Sequence, residues 1–408
     1  MEPAAPERRL TPAELAERAG VTPERLADFD AVGVLRRGAD GRYEPGDVHR
    51  VRLVRAFEES GIPLDALTAA EAAGSITFAY YDLLHAPAGT PSRRTYGDLV
   101  KSLGTRRADL LRRWFGAVGV AEPALDALID VEDEALLTTQ ATILADLADP
   151  SLGLRVARLQ GAAAHQVAEG SLSIYAEGLV QYGVDAAELP LQEAWQTYLE
   201  PWTRLARYAP ASTAWVQARH LSSAIDAFSV AETERFLERS GYVPERQAEP
   251  PAIAFVDIAG FTRLSEERGD QAAAVIASAF SELAAECARS AGGRVVKLLG
   301  DGALLRFGGA AAAAGASLAI IDAMAQDGLP PVHAGVADGA IVVRDGDVFG
   351  RTVNLASRIA DLAEPGVLLV PSALGDRLVA AGYVLSSPRT HRFHGVGEPV
   401  DLVEVSRR

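Results

Sequence analysis

Ala254-Phe255-Val256-Asp257-Ile258-Ala259-Gly260-Phe261-Thr262 decides how the C-terminal part of this chain folds. Small and apolar residues carry Asp257 to the end of a predicted strand, Gly260 permits a tight turn, and a helix begins behind it. Such junctions are natural phosphate sites, because the first backbone N–H groups of a helix lack partners within it and point outward. Gly260 also lets a ligand approach the backbone. Working outward, further short strand-like runs follow: Arg294-Val295-Val296-Lys297-Leu298, Ala303-Leu304-Leu305-Arg306-Phe307, Val332-His333-Ala334-Gly335-Val336 and Gly366-Val367-Leu368-Leu369-Val370. Helical stretches such as 270–291 and 309–326 separate several of them, which predicts an α/β or α+β domain.

Two more segments add chemistry. Lys297-Leu298-Leu299-Gly300-Asp301-Gly302 lies between apolar strands, so Gly300-Asp301 is expected to be a hairpin turn. Asp257 and Asp301, each at a strand end, are the oxygen ligands that a Mg²⁺ or Mn²⁺ pair on a triphosphate needs. In Asp347-Val348-Phe349-Gly350-Arg351-Thr352-Val353-Asn354-Leu355-Ala356-Ser357-Arg358, Asn354 and Arg358 stand four apart and share one helix face. Leu355, Ile359 and Leu362 are expected to form its buried face.

Composition limits the alternatives. The chain has 408 residues, 49% hydrophobic and 23% charged, which predicts two or three folded domains rather than a disordered chain. Its formal net charge is −16, which excludes a globally basic nucleic-acid binder. The single cysteine, Cys287, precludes an intramolecular disulfide and fits a reducing compartment. The first nine residues lack the apolar core of a signal peptide. The longest tempting apolar run, 307–321, is too short and too rich in Ala and Gly to span a bilayer. A cytoplasmic protein without a transmembrane segment is expected.

Residues 251–406 resemble the catalytic domain of class III nucleotide cyclases, on the three motifs above at compatible spacing. The resemblance implies an α+β ferredoxin-like fold that converts ATP to 3′,5′-cyclic AMP and pyrophosphate with two Mg²⁺ or Mn²⁺ ions per site. Asp257 and Asp301 match the family's metal aspartates, and Ile258 joins the metal set through its backbone. Lys297, four residues before Asp301, and Asp347, seven before Asn354, match the purine selectors. Lysine donates to adenine N1 and aspartate accepts from its N6 amine, whereas guanine shows the reverse pattern. The pair therefore points to ATP. Asn354 and Arg358 match the transition-state pair, and the backbone of Ala259, Gly260, Phe261 and Thr262 would cradle the outer phosphates. His394, in Arg392-Phe393-His394-Gly395-Val396-Gly397, stands where many members place a basic phosphate contact. In this family the aspartates come from one chain and the other four side chains from its partner, which implies a homodimer with two equivalent sites.

Before residue 245 the chain reads as helices, and the proline-bearing stretch 243–251 reads as a linker. Leu10-Thr11-Pro12-Ala13-Glu14-Leu15 leads to Gly20, and Arg94-Thr95-Tyr96-Gly97-Asp98-Leu99 leads to Gly104, an internal echo of helix, glycine turn and helix. Residues 10–67 resemble the winged-helix domain of the MerR family, on Leu15-Ala16-Glu17-Arg18-Ala19-Gly20-Val21-Thr22-Pro23, Val32-Gly33-Val34-Leu35, Gly41-Arg42-Tyr43 and Gly61-Ile62-Pro63-Leu64. MerR proteins bind DNA through this domain. Here Glu24, Asp28 and Asp30 outnumber Arg25 on the would-be recognition helix, opposing the ion release that drives DNA binding, while Arg36, Arg37 and Arg42 sit in the wing. DNA is therefore not expected as a partner. Residues 95–245 resemble the helical regulatory domain of a bacterial cyclase subgroup, in which that domain dimerises and switches the catalytic pair. Members of the group respond to pH or to a lipid, so a proton, lipid or small-molecule signal is implied. Tyr175, Tyr182, Trp195, Tyr198, Trp202, Tyr208 and Trp215 would line either a ligand pocket or a dimer core.

The expected organisation is multidomain. It comprises an all-α regulatory region, split into a helix-turn-helix domain over 1–90 and a helical dimerisation domain over 91–245, followed by a catalytic domain over 250–408. The rival reading is a MerR-like transcription factor whose cyclase domain senses nucleotide without turning it over.

Overall fold

A computed structural model describes residues 9–35, 37–44, 46–73, 90–181, 198–244, 249–393 and 398–408. Two compact units form, residues 1–233 and 234–408.

The first unit is mainly helical. Thr11 caps α1 (Pro12–Ala19) in a capping box with Glu14, and Gly20 ends it in the left-handed region. α2 (Pro23–Ala31) follows, capped by Thr22, then α3 (Asp47–Glu59) and α4 (Leu64–Ala72). Leu10, Leu15, Leu26, Phe29, Tyr43, Val51 and Val54 close a small core among them. Each such apolar side chain contributes about 1.5–3 kcal/mol on full burial. A short ribbon departs from the all-α expectation, because β1 (Pro91–Thr95) pairs antiparallel with β2 (Leu128–Asp130). Neither strand has an apolar alternation long enough to announce it.

The internal echo is real at the level of caps. Thr95 caps α5 (Tyr96–Val118) in a second capping box, with Asp98, and Gly104 breaks that helix at φ +74° as Gly20 does at +66°. α6 (Val131–Asp146), α7 (Pro150–Gln181) and the 40-residue α8 (Glu200–Arg239) complete the unit and its exit. Tyr175, Tyr198 and Trp202 stack on one another between α7 and the start of α8. Tyr208 and Trp215 are exposed on α8, and Tyr182 and Trp195 lie outside the described residues.

The second unit is built on a sheet. β3 (Ala252–Ile258) is followed by α9 (Phe261–Arg268), α10 (Asp270–Ser290), the hairpin β4 (Arg294–Leu298) and β5 (Gly302–Phe307), then α11 (Ala310–Gln326) and β6 (Val332–Asp338). The strands lie in the order β6-β3-β5-β4, every neighbour antiparallel. That is the βαββαβ arrangement of a ferredoxin-like fold. After β7 (Val342–Arg344), β8 (Asp347–Phe349) and α12 (Arg351–Ala360), β9 (Leu368–Pro371) adds parallel to β6. A small helix, α13 (Gly375–Ala380), and β10 (Val384–Leu385), β11 (Arg389–His391) and β12 (Val400–Ser406) finish the sheet.

Alternation along the strands sorts side chains to two faces. Ala252, Ala254, Val256, Ala303 and Leu305 face α10, α11 and α13. The apolar run 307–321 supplies α11, a buried core helix rather than a membrane span. Ile253, Leu304 and Ala337 face α12. The buried stripe of α12 is Val353, Ala356, Ile359 and Ala360, whereas Leu355 is only partly buried and Leu362 is 42% exposed. Of the expected stripe, then, Ile359 is buried, Leu355 is partly buried against the same core, and Leu362 falls outside it. α12 lies so close to β6 that a Cβ on Gly335 would meet the Ala360 nitrogen at 2.2 Å, so small residues fill the contact, and the helix ends before Leu362.

Candidate active site

The strand β3 delivers Asp257 to its end on the α12 face of the sheet, opposite Gly302 of β5 and His333 of β6. A Cβ on Gly302 would stand 1.8 Å from Asp257 Oδ1, so only glycine leaves room for this carboxylate. Asp301 occupies the β4–β5 turn, and its carbonyl accepts from the Ile258 N–H at 2.9 Å. The hairpin expected at Gly300-Asp301 is therefore present and locks the two aspartates together. The Ile258 side chain is buried in the core, leaving only its backbone to the site.

Burial pushes the Asp257 carboxyl up to about 6. The charge of His333 draws it down, while those of Asp301 and Asp361 push it further up. Among the described residues no cluster of three or more His, Cys, Asp or Glu forms a ready metal cage. Two carboxylates and backbone oxygen are instead the sparse, hard donor set of a Mg²⁺ or Mn²⁺ that arrives with substrate phosphates. The residues present fit that ion.

Lys297 sits on β4, and a β-bulge decides where it points. Val295 pairs with Leu305, but Lys297 pairs with Leu304, so Val296 is the extra residue. The bulge shifts Lys297 onto the face of Leu304 and Asp257. There its Nζ donates to Asp347 Oδ2 at 2.7 Å. Asp347 also accepts from the Val348 N–H at 2.9 Å, and the Lys297 ammonium holds its carboxyl below the usual range. The two residues expected to select the purine, 50 apart in sequence, are thus joined within one chain.

α12 carries Asn354, exposed, and Arg358, partly buried in its last turn, on one side of the helix. The phosphate cradle is narrower than expected. The Ala259 N–H donates to the Pro331 carbonyl at 2.9 Å, because that residue still pairs with the loop before β6. Gly260, Phe261 and Thr262 remain as the opening residues of α9, which has no side-chain cap. His394 lies outside the described residues, as do Arg36 and residues 245–248 of the linker.

Sequence reading missed His333. It pairs directly with Asp257, and its Nδ1 lies 2.6 Å from the Ala360 carbonyl oxygen at the end of α12. A lone histidine within a strand gives no local signal, and only the β3–β6 register brings it to the aspartate.

In the helix-turn-helix segment, Arg25 pairs with Asp28 at 3.2 Å and with Glu58, and Arg37 pairs with Asp30. Tyr43 donates to the same Asp30 at 2.6 Å.

Known proteins place these features. Residues 10–73 match the family described as MerR HTH family regulatory protein. An adenylate cyclase of Streptomyces coelicolor is 29% identical over 299 residues, spanning 71% of this chain and 73% of that protein. A pH-sensitive adenylate cyclase of Mycobacterium tuberculosis is 28% identical over 308 residues, spanning 73% and 75%. An uncharacterized protein of Mycobacterium tuberculosis is 26% identical over 383 residues, spanning 93% and 94%. Among solved structures, the adenylyl cyclase CyaB from P. aeruginosa superimposes with a TM-score of 0.35 at 24% identity, over 40% of this chain and 97% of that one. The adenylate/guanylate cyclase/hydrolase from Silicibacter pomeroyi gives 0.34 at 28%, over 39% and 98%. Among the described residues no helix is long and apolar enough to cross a membrane. The chain thus comprises a MerR-like helix-turn-helix segment, further helices and a ferredoxin-like βαββαβ domain, and it is similar over 71–73% of its length to bacterial adenylate cyclases.

Proposed function

We propose that the chain is an adenylate cyclase, forming 3′,5′-cyclic AMP and pyrophosphate from ATP at two equivalent sites of a homodimer. The observation that carries this reading is the Lys297–Asp347 pair, held at 2.7 Å on the same sheet face as Asp257. Lys297 would donate to adenine N1 and Asp347 accept from the N6 amine. A site paired to that edge rejects guanine because mismatch leaves buried polar groups without partners.

Asp257, Asp301 and the Ile258 backbone would hold two divalent ions, Mg²⁺ or Mn²⁺, which supply charge that acidifies the ribose 3′-hydroxyl and stabilises the leaving pyrophosphate. The chain's own part is positioning and charge. Asn354 orients the ribose so that the 3′-oxygen lies in line with the α-phosphorus. Arg358 neutralises charge that builds on the α-phosphate. Gly260 to Thr262 cradle the outer phosphates with backbone N–H groups at the start of α9.

The aspartates of one chain would serve with Lys297, Asp347, Asn354 and Arg358 of its partner. Exposed apolar side chains support pairing on both units: Leu298, Leu299 and Phe349 near the site, and Leu205, Trp215, Leu221 and Phe228 along α8. Residues 91–245 act in this reading as the regulator and dimeriser, receiving a proton, lipid or small-molecule signal.

A second reading, a DNA-binding regulator with an inert cyclase domain, draws on the MerR match at residues 10–73. The ion pairs that consume Arg25 and Arg37 oppose it. One assay separates the two. The full chain with Mn-ATP forms cyclic AMP, and Arg358→Ala lowers kcat by about 10²- to 10³-fold. No cyclic AMP with either metal at any pH removes the enzyme reading.

A further inference from the structure

Within a single chain, His333 stands opposite Asp257 and bonds the end of the helix that carries Asn354 and Arg358. Its strand β6 pairs with β3, and residue 333 lies directly opposite Asp257. Cross-strand neighbours on one face of an antiparallel pair have Cβ atoms roughly 4.5–5.5 Å apart. On its other side, His333 Nδ1 is 2.6 Å from the Ala360 carbonyl oxygen. A carbonyl only accepts, so Nδ1 carries the hydrogen and donates. Ala360 is the last residue of α12, two after Arg358, and its carbonyl accepts both from the imidazole and from the Ala363 N–H at 3.0 Å. At Gly335, two residues along β6, α12 lies so close that a Cβ would meet the Ala356 carbonyl oxygen at 2.5 Å. The imidazole therefore pins the helix end to β6, the strand paired with that of Asp257.

We propose that His333 is a positioning residue that joins the metal-binding half of one active site to the transition-state helix of the other. This inference rests on the shared-site dimer. In that dimer a chain gives Asp257 to one site and Asn354 and Arg358 to the second. A link inside the chain is then a link between the two sites, and it does not cross the dimer interface.

Mixed dimers of the full chain test it. Co-expressed Asp257→Ala and Arg358→Ala chains, purified through different tags, form a heterodimer with one intact site and one site lacking both groups. Neither homodimer has an intact site. His333→Ala is then placed in one chain at a time. In the Asp257→Ala chain, whose aspartates serve no working site, it acts only through α12. There kcat falls about tenfold, Mn²⁺ half-saturation stays unchanged, and His333→Asn, whose amide can still donate to Ala360, restores most of the loss. In the Arg358→Ala chain, which supplies the working aspartates, it raises Mn²⁺ half-saturation instead. An effect confined to the Arg358→Ala chain overturns the inference, because His333 would then serve only the site its own Asp257 serves. A parent mixture without activity overturns the shared-site reading, and this inference with it.

Discussion

Lys297 and Asp347 hold each other across 50 residues of sequence, Nζ to Oδ2 at 2.7 Å, on the edge of the sheet that faces α12. Lys297 is half exposed, so the pair contributes about 1 kcal/mol or less to stability. Its value lies in recognition. Lys297→Ala is expected to lower kcat/KM for ATP by about 100-fold, the loss of a charged hydrogen bond of roughly 1.5–3 kcal/mol. The preference for ATP over GTP should shrink while the melting temperature moves little. Competing-substrate kinetics and a thermal melt check both, and an unchanged ATP/GTP ratio would contradict the selector role.

Gly302→Ala should separate metal binding from folding. The backbone at 302 lies outside the positive-φ region, so alanine brings no backbone strain. Its Cβ, however, would stand 1.8 Å from Asp257 Oδ1 and must displace the carboxylate. Mn²⁺ half-saturation is expected to rise more than tenfold, while circular dichroism stays native. Wild-type metal dependence in the variant would show that Asp257 does not need its present place.

The Asp257 carboxyl, held at about 6, predicts two pH effects. Its unfolded value is about 3.9, so the folded chain binds this proton more tightly than the unfolded one. Stability of the metal-free protein should therefore be fullest below about pH 4 with respect to this group, and fall as pH rises through about 6. Asp257→Asn should flatten that part of the profile in melts run with EDTA. Metal binding needs the carboxylate, so Mn²⁺ affinity should drop about tenfold for each pH unit below 6. Titration calorimetry that finds no proton release near pH 5.5 would refute the assignment.

The helix-turn-helix segment should not retard DNA. Arg25 and Arg37 are committed to Glu58, Asp28 and Asp30, and Arg42 donates to the Arg9 carbonyl at 3.2 Å. Freeing them for phosphate would leave three carboxylates facing the duplex. A gel shift at low salt, where charge is least screened, is the sensitive measurement. Retardation at micromolar protein would revive the transcription-factor reading.

How much of this could be read from the sequence differs by element. The strand that ends at Asp257, the hairpin at Asp301 and the helix bearing Asn354 and Arg358 were legible, because each is written in adjacent residues. The repeated helix, glycine turn and helix from Leu10 and from Arg94 was legible for the same reason, while the capping boxes at Thr11 and Thr95 emerged with the structure. What depends on register was not. The pairing of His333 with Asp257, the engagement of the Ala259 N–H by Pro331 and the extent of the α12 stripe are set by which strand lies beside which. The β1–β2 ribbon was invisible because β1 is polar and β2 is only three residues long.

The bulge at Val296 has a consequence for how such a chain can vary. Were β4 regular, with Val296 rather than Lys297 opposite Leu304, every side chain of the proposed site would be kept, yet Lys297 would turn toward α10 and away from Asp347. An inventory of motif residues would score that register as intact, though it would be blind to adenine. Along β4, then, the register is inherited together with residue identity, and a change that straightens the bulge while keeping Val296 is more damaging than most substitutions.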